Sequence, residues 1–323
     1  MSGATTIVPI VFGPTASGKT DALLRIFAPG GLFSGRAEAI CADSMQAYRG
    51  MDIGTAKPSA GERALLPHHL IDILDPREQY CVGDFVVRAR AAIAEIAGRG
   101  ALPVVSGGTG FYLRNLVLGL PAAPPSDEGI RLALQADLAS QGARALMDEL
   151  ARSDPESAAR IHPNDEYRLL RALEVLRLTG RPLGAFKANV AAPDDGAFPF
   201  RFVTLGLSRP REELYRRIDE RARAMFAAGL PAEVAALRDA GYTPRDPGLR
   251  AIGYREFFVE EAGAFRLSAD TSGLMELVAM NTRRYAKRQE TFVASLPGAR
   301  RVPTGRDDEE TARLLWKELR DFV

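Results

Sequence analysis

"VFGPTASGKT", residues 11–20, decides the fold. Gly13, Gly18, Lys19 and Thr20 fall in register with G-x-x-x-x-G-K-[ST], a loop that wraps a diphosphate and usually holds ATP or GTP. Glycines let successive backbone N–H groups turn inward, and the following helix aims its positive end at the anion. Lys19 adds a full charge, and the Thr20 hydroxyl can ligate Mg2+. Gly13, Pro14, Thr15, Ala16, Ser17, Gly18, Lys19 and Thr20 are therefore the candidate diphosphate or nucleotide site, with Thr20 the candidate metal ligand. A chance match would be a plain strand–turn–helix junction. The flanks favour the phosphate reading: "TTIVPIVF" (5–12) is a β-branched apolar run, and a helix is expected from Lys19 towards Phe27, ended by Gly30-Gly31.

Working outward, "AEAICADS" (37–44) reads as a second strand ending at Asp43. "GDFVVRARAAIAEIAGRG" (83–100) sets Phe85, Ala89, Ile93 and Ile96 at helical spacing, and "ALPVVSGGTG" (101–110) returns as a strand into a glycine turn. Strands alternating with amphipathic helices predict an α/β fold: a P-loop NTPase-like parallel sheet core with helices on both faces. Ligands of such sheets sit at the carboxyl ends of the strands, where the loop, Asp43 and Gly107–Gly110 are all expected. The proline-rich "LPAAPPSDEG" (120–129) then opens a mainly helical insertion. In it "PNDEYRLLRALEVLRLTG" carries an apolar stripe of Leu169, Leu173 and Leu176, with Arg168, Arg171 and Glu174 pointing away. "AAPDDGAFPF" is a second linker, and "FRFVTLGLS" a return to the sheet. The expected division is residues 1–118 and 200–323 for the core and 119–199 for the insertion. Long helices follow at 210–229 and 275–292.

The 323 residues are 46% hydrophobic and 26% charged, which suits a globular chain with a real core, and the formal net charge of +1 leaves any nucleic-acid partner to local clusters. Cys41 and Cys81 form no C-x-x-C pair and are read as buried, reduced residues, while His68, His69 and His162 give no zinc spacing. No basic residue precedes the apolar run Ile7–Phe12, and no apolar stretch nears the roughly 18 residues of a membrane span. The expectation is a cytoplasmic protein with no membrane partner.

A P-loop kinase or ATPase should show a second strand ending in a metal-holding acid. Here "LPVVSGG" ends in Ser106 and "FVTLGLS" in Ser208; only "AICADS" presents a carboxylate, Asp43. Two readings of Asp43 stand side by side: a cap accepting a backbone N–H, or a general base aimed at the diphosphate pocket. "GGTG" is likewise either a routine turn or a means of presenting the Thr109 hydroxyl.

"GPTASGKT", "DSMQAYRGMDIGTAKP" (43–58), "HHLID" (68–72), "GGTGFYLR" (107–114), "RIHPNDEYRLLRALEV" (160–175), "AIGYREF" (251–257) and "RRYAKRQETF" (283–292) resemble, in order, the signature blocks of tRNA dimethylallyltransferases. The resemblance covers nearly the whole chain. It implies that the cradle holds dimethylallyl diphosphate, whose five-carbon group moves to the exocyclic amine of adenosine 37 beside the anticodon while diphosphate leaves with Mg2+. It implies catalytic roles for Asp43 as general base, Thr109 in placing adenine or diphosphate, and Lys19 on the leaving group. It implies contacts to the tRNA anticodon stem-loop from Asp43, Ser44, Met45 and Gln46; from Thr109 and Arg131; from Tyr167, Arg168, Leu169, Leu170 and Arg171; from Arg250, Ala251, Ile252, Gly253, Tyr254 and Arg255; and from Lys287, Arg288, Gln289, Thr291 and Phe292, in a block running to Ala294. A monomer is the family expectation.

The local charge agrees with an RNA acceptor. Arg283, Arg284, Lys287, Arg288, Arg300 and Arg301 lie between Asn281 and Arg301, opposed within that segment only by Glu290. Arg283/Lys287 and Arg284/Arg288 are like-charge i,i+4 pairs that repel unless an anion lies between them. The chain departs from the family where a tryptophan and an arginine usually follow the "RQ-x-T" element: here Phe292 and Ala294 stand, and Glu290 replaces a common apolar residue. Three rival readings remain: a P-loop small-molecule kinase, prenyl transfer to free AMP or ADP, and an RNA-binding module switched by nucleotide.

Overall fold

β1 (Thr6–Phe12) puts Val8, Ile10, Val11 and Phe12 wholly out of solvent, which its apolar, β-branched sequence requires of a central strand. The structure, a computed structural model, describes residues 6–186, 199–268, 270, 271, 273–293, 296 and 298–323. Ala294, Thr5 and most of the 191–200 linker lie outside the described residues. From β1 the chain passes through α1 (Lys19–Phe27), β2 (Ala37–Cys41), α2 (Ala60–Leu65), β3 (His68–His69), α3 (Val82–Gly98), β4 (Leu102–Gly107) and α4 (Gly110–Leu118). Then come α5 (Glu128–Ser153), α6 (Pro155–Arg160) and α7 (Glu166–Thr179). The rest is β5 (Phe200–Ser208), α8 (Arg211–Ala227), α9 (Leu230–Asp239), β6 (Phe258–Glu261), β7 (Ala264–Leu267), α10 (Leu274–Val293), β8 (Arg300–Pro303) and α11 (Asp308–Leu319).

The sheet runs β3-β2-β4-β1-β5-β8, every pairing parallel, with helices on both faces; β6 and β7 form a separate antiparallel hairpin. α1 and α11 cover one face, where Leu23, Ile26, Leu315 and Leu319 pack on Val11, Val104 and Leu205. α3 buries Phe85, Ala89, Ile93 and Ile96, the residues its spacing predicts. β2 stops at Cys41, so Asp43 lies just past the strand rather than at its end. Edge strand β8 was hidden in "RRVP", which buries only Val302. No helix among the described residues is long and apolar enough to cross a membrane.

Two compact units emerge, Met1–Val117 with Pro193–Val323, and Leu118–Ala192. The second has its own core of Leu134, Leu146, Leu150, Leu169, Leu170 and Leu173. Its helices start on capping carboxylates: Asp127, Asp154 and Asp165 each accept an N–H from the first turn. Glu174 corrects the helical-wheel reading. It is fully buried and accepts hydrogen bonds from the Ser126 hydroxyl (2.5 Å), Asp127 N–H (2.9 Å), Arg171 (2.8 Å) and Arg131 (3.4 Å). Burial alone would raise its carboxyl; the bonds from Ser126, Arg171 and Asp127 outweigh that and hold it below the usual range. Glu174→Ala strands two arginines around an empty carboxylate site, and denaturant melts should show a loss of about 3 kcal/mol.

Candidate active site

The phosphate loop leaves β1 and enters α1 at Gly18, whose φ of +92° is left-handed and favours glycine there. The Lys19 ammonium folds over the loop and donates to Gly13 O (2.8 Å) and Pro14 O (2.9 Å). Burial, then the neighbouring Arg221, pull its pKa down to about 8; the Asp43 charge opposes them. Arg221 is half-buried, and desolvation lowers its pKa while Asp43 and Asp21 oppose the shift. Two further arginines brace the loop from outside: Arg217 Nε donates to Ala16 O (3.1 Å) and Arg209 Nη2 to Ser17 O (3.2 Å). These three arginines escaped the sequence reading. Their only signal was the i,i+4 spacing of Arg217 and Arg221 beside the buried positions Leu214, Ile218 and Ala222 of α8.

Asp43 faces this cationic pocket. Its Oδ1 accepts the Met45 N–H (2.9 Å), so the capping role is real, but it occupies one oxygen; Oδ2 accepts no hydrogen bond among the described residues. The Thr109 Oγ1 accepts the Ser44 N–H (3.1 Å), and Thr109 N–H donates to Ala42 O (3.1 Å), tying the "GGTG" turn to the Asp43 segment. That approach demands glycine: a Cβ on Gly107 would lie 2.2 Å from Ala42 O. Gln46 lines the same wall, its amide nitrogen on Thr55 O and Ala56 O and its oxygen taking the Cys41 thiol. Cys41 is buried as expected; Cys81 is half-buried and caps α3. Lys57, side chain 2% exposed, ties Asp52, Asp72 and Tyr48 O together behind this wall.

α10 closes the site. Tyr285 sits beside Asp43, and burial plus that charge push its phenol up to about 12 against hydrogen bonds from Thr109 and Gln289. Gln289 is 5% exposed and bridges two loops, accepting the Thr15 N–H (3.0 Å) and donating to Gly108 O (2.8 Å). It is thus an internal tie that also lines the cavity described below. Gln289→Ala should loosen both loops together, seen as faster amide exchange at Thr15 and Thr109.

One cavity of about 770 Å³ joins these parts. Its lining includes Thr15, Ala16, Gly18, Lys19 and Thr20 of the loop, Asp43, Ser44, Met45 and Gln46, Gly108, Arg217 and Arg221, and Arg250, Ala251, Ile252, Arg255, Tyr285 and Arg288. Arg250, Arg255, Lys287, Arg288 and Thr291 are exposed. Several of the residues expected to meet RNA have structural partners within the fold. Leu169 and Leu170 are core residues; Tyr254 is buried, its hydroxyl on Glu233 (2.6 Å); Gly253 is buried and donates to Glu256. Arg171 is committed to Glu174 and Pro124 O (2.6 Å). Phe292 lies against Gly110, where a Cβ would lie 2.2 Å from its ring. In the helical unit, Tyr167 and Arg168 are exposed, and the Arg131 guanidinium lies 5.1 Å from the Tyr167 ring centre. Arg283 is neutralised by Asp219 of α8, and Arg300 lies 3.7 Å from Glu318, so the basic segment is less free than its own sequence suggests.

The described residues hold no cluster of three or more His, Cys, Asp or Glu able to bind a metal. The donor set nonetheless suits Mg2+ carried by an anion: the Thr20 hydroxyl lines the cavity, and the remaining ligands would be phosphate oxygens and water.

The model of the IPP transferase family matches residues 46–296. The tRNA dimethylallyltransferase of Geobacter sulfurreducens is 45% identical over 301 residues, 93% of each chain. That of Paraburkholderia phytofirmans is 43% identical over 312 residues, 96% of each. The crystal structure of the full-length tRNA isopentenylpyrophosphate transferase from Bacillus halodurans superposes with a TM-score of 0.64 at 35% identity, covering 99% of this chain and 98% of that one. A eukaryotic dimethylallyltransferase acting on tRNA gives a TM-score of 0.71 at 26% identity, covering 97% of this chain and 76% of that one. Phosphate loop, facing Asp43 carboxylate and sequence thus converge, and the chain belongs to the IPP transferase family.

Proposed function

We propose that the chain transfers a dimethylallyl group from dimethylallyl diphosphate to the N6 amine of adenosine 37 in the tRNA anticodon loop, releasing diphosphate. One observation carries this reading: half-buried Lys19 and Arg221 share a single cavity with Asp43, and exposed arginines 250, 255 and 288 line that cavity too. The allylic carbon–oxygen bond breaks, its electron pair leaves on the diphosphate, and a carbon–nitrogen bond forms to N6. Lys19, Arg221 and the loop N–H groups take up the charge that develops on the leaving group, each such donor worth roughly 3–4 kcal/mol. Mg2+ held by Thr20 and the diphosphate would neutralise further charge. The adenine amine is a poor nucleophile, and its proton becomes acidic only as the new bond forms. Asp43 Oδ2 receives it. Thr109, held by Ser44 N–H beside Asp43, orients the base.

The acceptor base must leave its stack to enter the cavity, which an anticodon loop permits at a cost of a few kcal/mol. Arg250, Arg255, Lys287 and Arg288 meet the RNA backbone, and the helical unit contributes Tyr167 and Arg168. Purified protein with radiolabelled dimethylallyl diphosphate and magnesium, offered unmodified tRNA, AMP or no acceptor, tests this. Label is expected in tRNA alone; label in AMP, or in neither, would sink it.

The donor site also carries a pH signature. A bound diphosphate favours protonated Lys19, whose pKa in the free site is only about 8. Affinity should hold steady below pH 8 and fall above it, by up to about tenfold per pH unit, until the raised pKa of the complex is reached. Calorimetric titration of inorganic diphosphate from pH 7 to 9.5, read as the difference between the unsubstituted chain and Lys19→Ala so that the ligand's own titration cancels, reports this.

A further inference from the structure

We infer that Asp308, the first residue of α11, limits how tightly the phosphate loop holds diphosphate and so speeds release of the product. The inference deepens the donor reading above and rests on it. Asp308 lies beyond the residues matched to the family model. Its Oδ1 is 3.2 Å from Arg217 Nη2 and 3.9 Å from Arg209 Nη2. Those same guanidiniums hold Ala16 O and Ser17 O, so one carboxylate backs both braces of the loop. A Cβ on Gly18 would lie 3.1 Å from Asp308 Oδ1, which places the carboxylate against the outside of the loop itself. Burial and the Asp308 charge together raise the carboxyl of Asp21, a second acid on this side of the anion pocket.

The placement is rigid. Ala312, Leu315 and Leu319 anchor α11 in the core, and Asp307 caps it by accepting the Glu310 N–H. The helix does not need Asp308 for its own sake, because Glu309 and Glu310 already put acid in its first turn. The electrostatic consequence is one-signed. Arg209 is already paired with Glu213, but Arg217 lines the cavity, and a negative charge within a few ångströms of it opposes a multiply charged anion on the loop. The cluster of Lys19, Arg217 and Arg221 would otherwise trap the diphosphate it helps to expel. Tight product is wasted binding, since release limits turnover in many enzymes.

Calorimetric titration of inorganic diphosphate with magnesium chloride, on the unsubstituted chain and on Asp308→Asn, provides the test. Asp308→Asn should bind diphosphate about fivefold more tightly, and diphosphate should inhibit donor turnover at correspondingly lower concentration. Asp308→Glu should restore the original affinity, and Asp308→Ser, which also suits a helix start, should match Asp308→Asn. In an Arg217→Gln background the effect of Asp308→Asn should largely vanish. A merely structural role predicts the opposite sign, weaker diphosphate binding with a lowered melting temperature. Unchanged or weaker binding in both neutral variants would overturn the inference while leaving the donor reading intact. Failure of the unsubstituted chain to bind diphosphate would instead sink the donor reading, and this inference with it.

Discussion

Asp43→Asn is expected to lower kcat by about 10²- to 10⁴-fold with saturating tRNA and donor, while both substrates still bind. The substitution separates the two jobs of this side chain. An asparagine oxygen still accepts the Met45 N–H, now at 2.9 Å from Asp43 Oδ1, so the turn after β2 keeps its shape. The amide cannot take a proton from the attacking nitrogen. Loss of turnover with an intact turn therefore isolates the base. Asp43 also offsets the charge of Lys19 and Arg221, so its removal should tighten inorganic diphosphate rather than weaken it. Asp43→Ala should be no slower in chemistry but less stable, because it loses the cap as well, at roughly 1 kcal/mol. Single-turnover kinetics with diphosphate titrations on both variants decide the matter; Asp43→Asn at full turnover would remove the base.

Lys19→Ala is the second large effect. Its ammonium now sits on Gly13 O and Pro14 O, the two carbonyls that a bound anion's charge would outcompete. Removing it leaves the neighbouring Arg221 as a cation in the cavity, so donor kcat/KM should fall about 10²- to 10³-fold, the range for one preorganised donor. tRNA affinity, measured by filter binding, should change less than threefold, since the exposed arginines are untouched. Lys19→Arg should rescue poorly, because a planar fork cannot replace a point charge folded into a tight loop. The contrast between donor and acceptor is the readout.

Much of this was legible in the chain. "VFGPTASGKT" fixed strand, loop and helix because local chemistry alone demands them, and Phe85, Ala89, Ile93 and Ile96 named the buried face of α3. What escaped depends on partners distant in sequence. Arg217 and Arg221 gain their place only because α8 lies beside the loop, 201 positions from Ala16 in the case of Arg217. Glu174 looked exposed because its four partners come from α7 itself and from residues 126–131. Gln289 and Leu169 lie within blocks that the resemblance assigns to RNA, yet family motifs mark conserved function and conserved packing alike. Arg283 counted as free charge because Asp219, on another helix, answers it. Sequence displays a residue's chemistry; only the fold tells which groups have already spent it on each other.

The account turns on which bond of the donor breaks. Dimethylallyl diphosphate labelled with ¹⁴C in the allyl group and ³²P in the diphosphate, incubated with enzyme, magnesium and unmodified tRNA, reports it in one experiment. Carbon label is expected in the tRNA and all phosphorus in free diphosphate, in equal amounts. Phosphorus label in the tRNA, or release of diphosphate without carbon transfer, would contradict it.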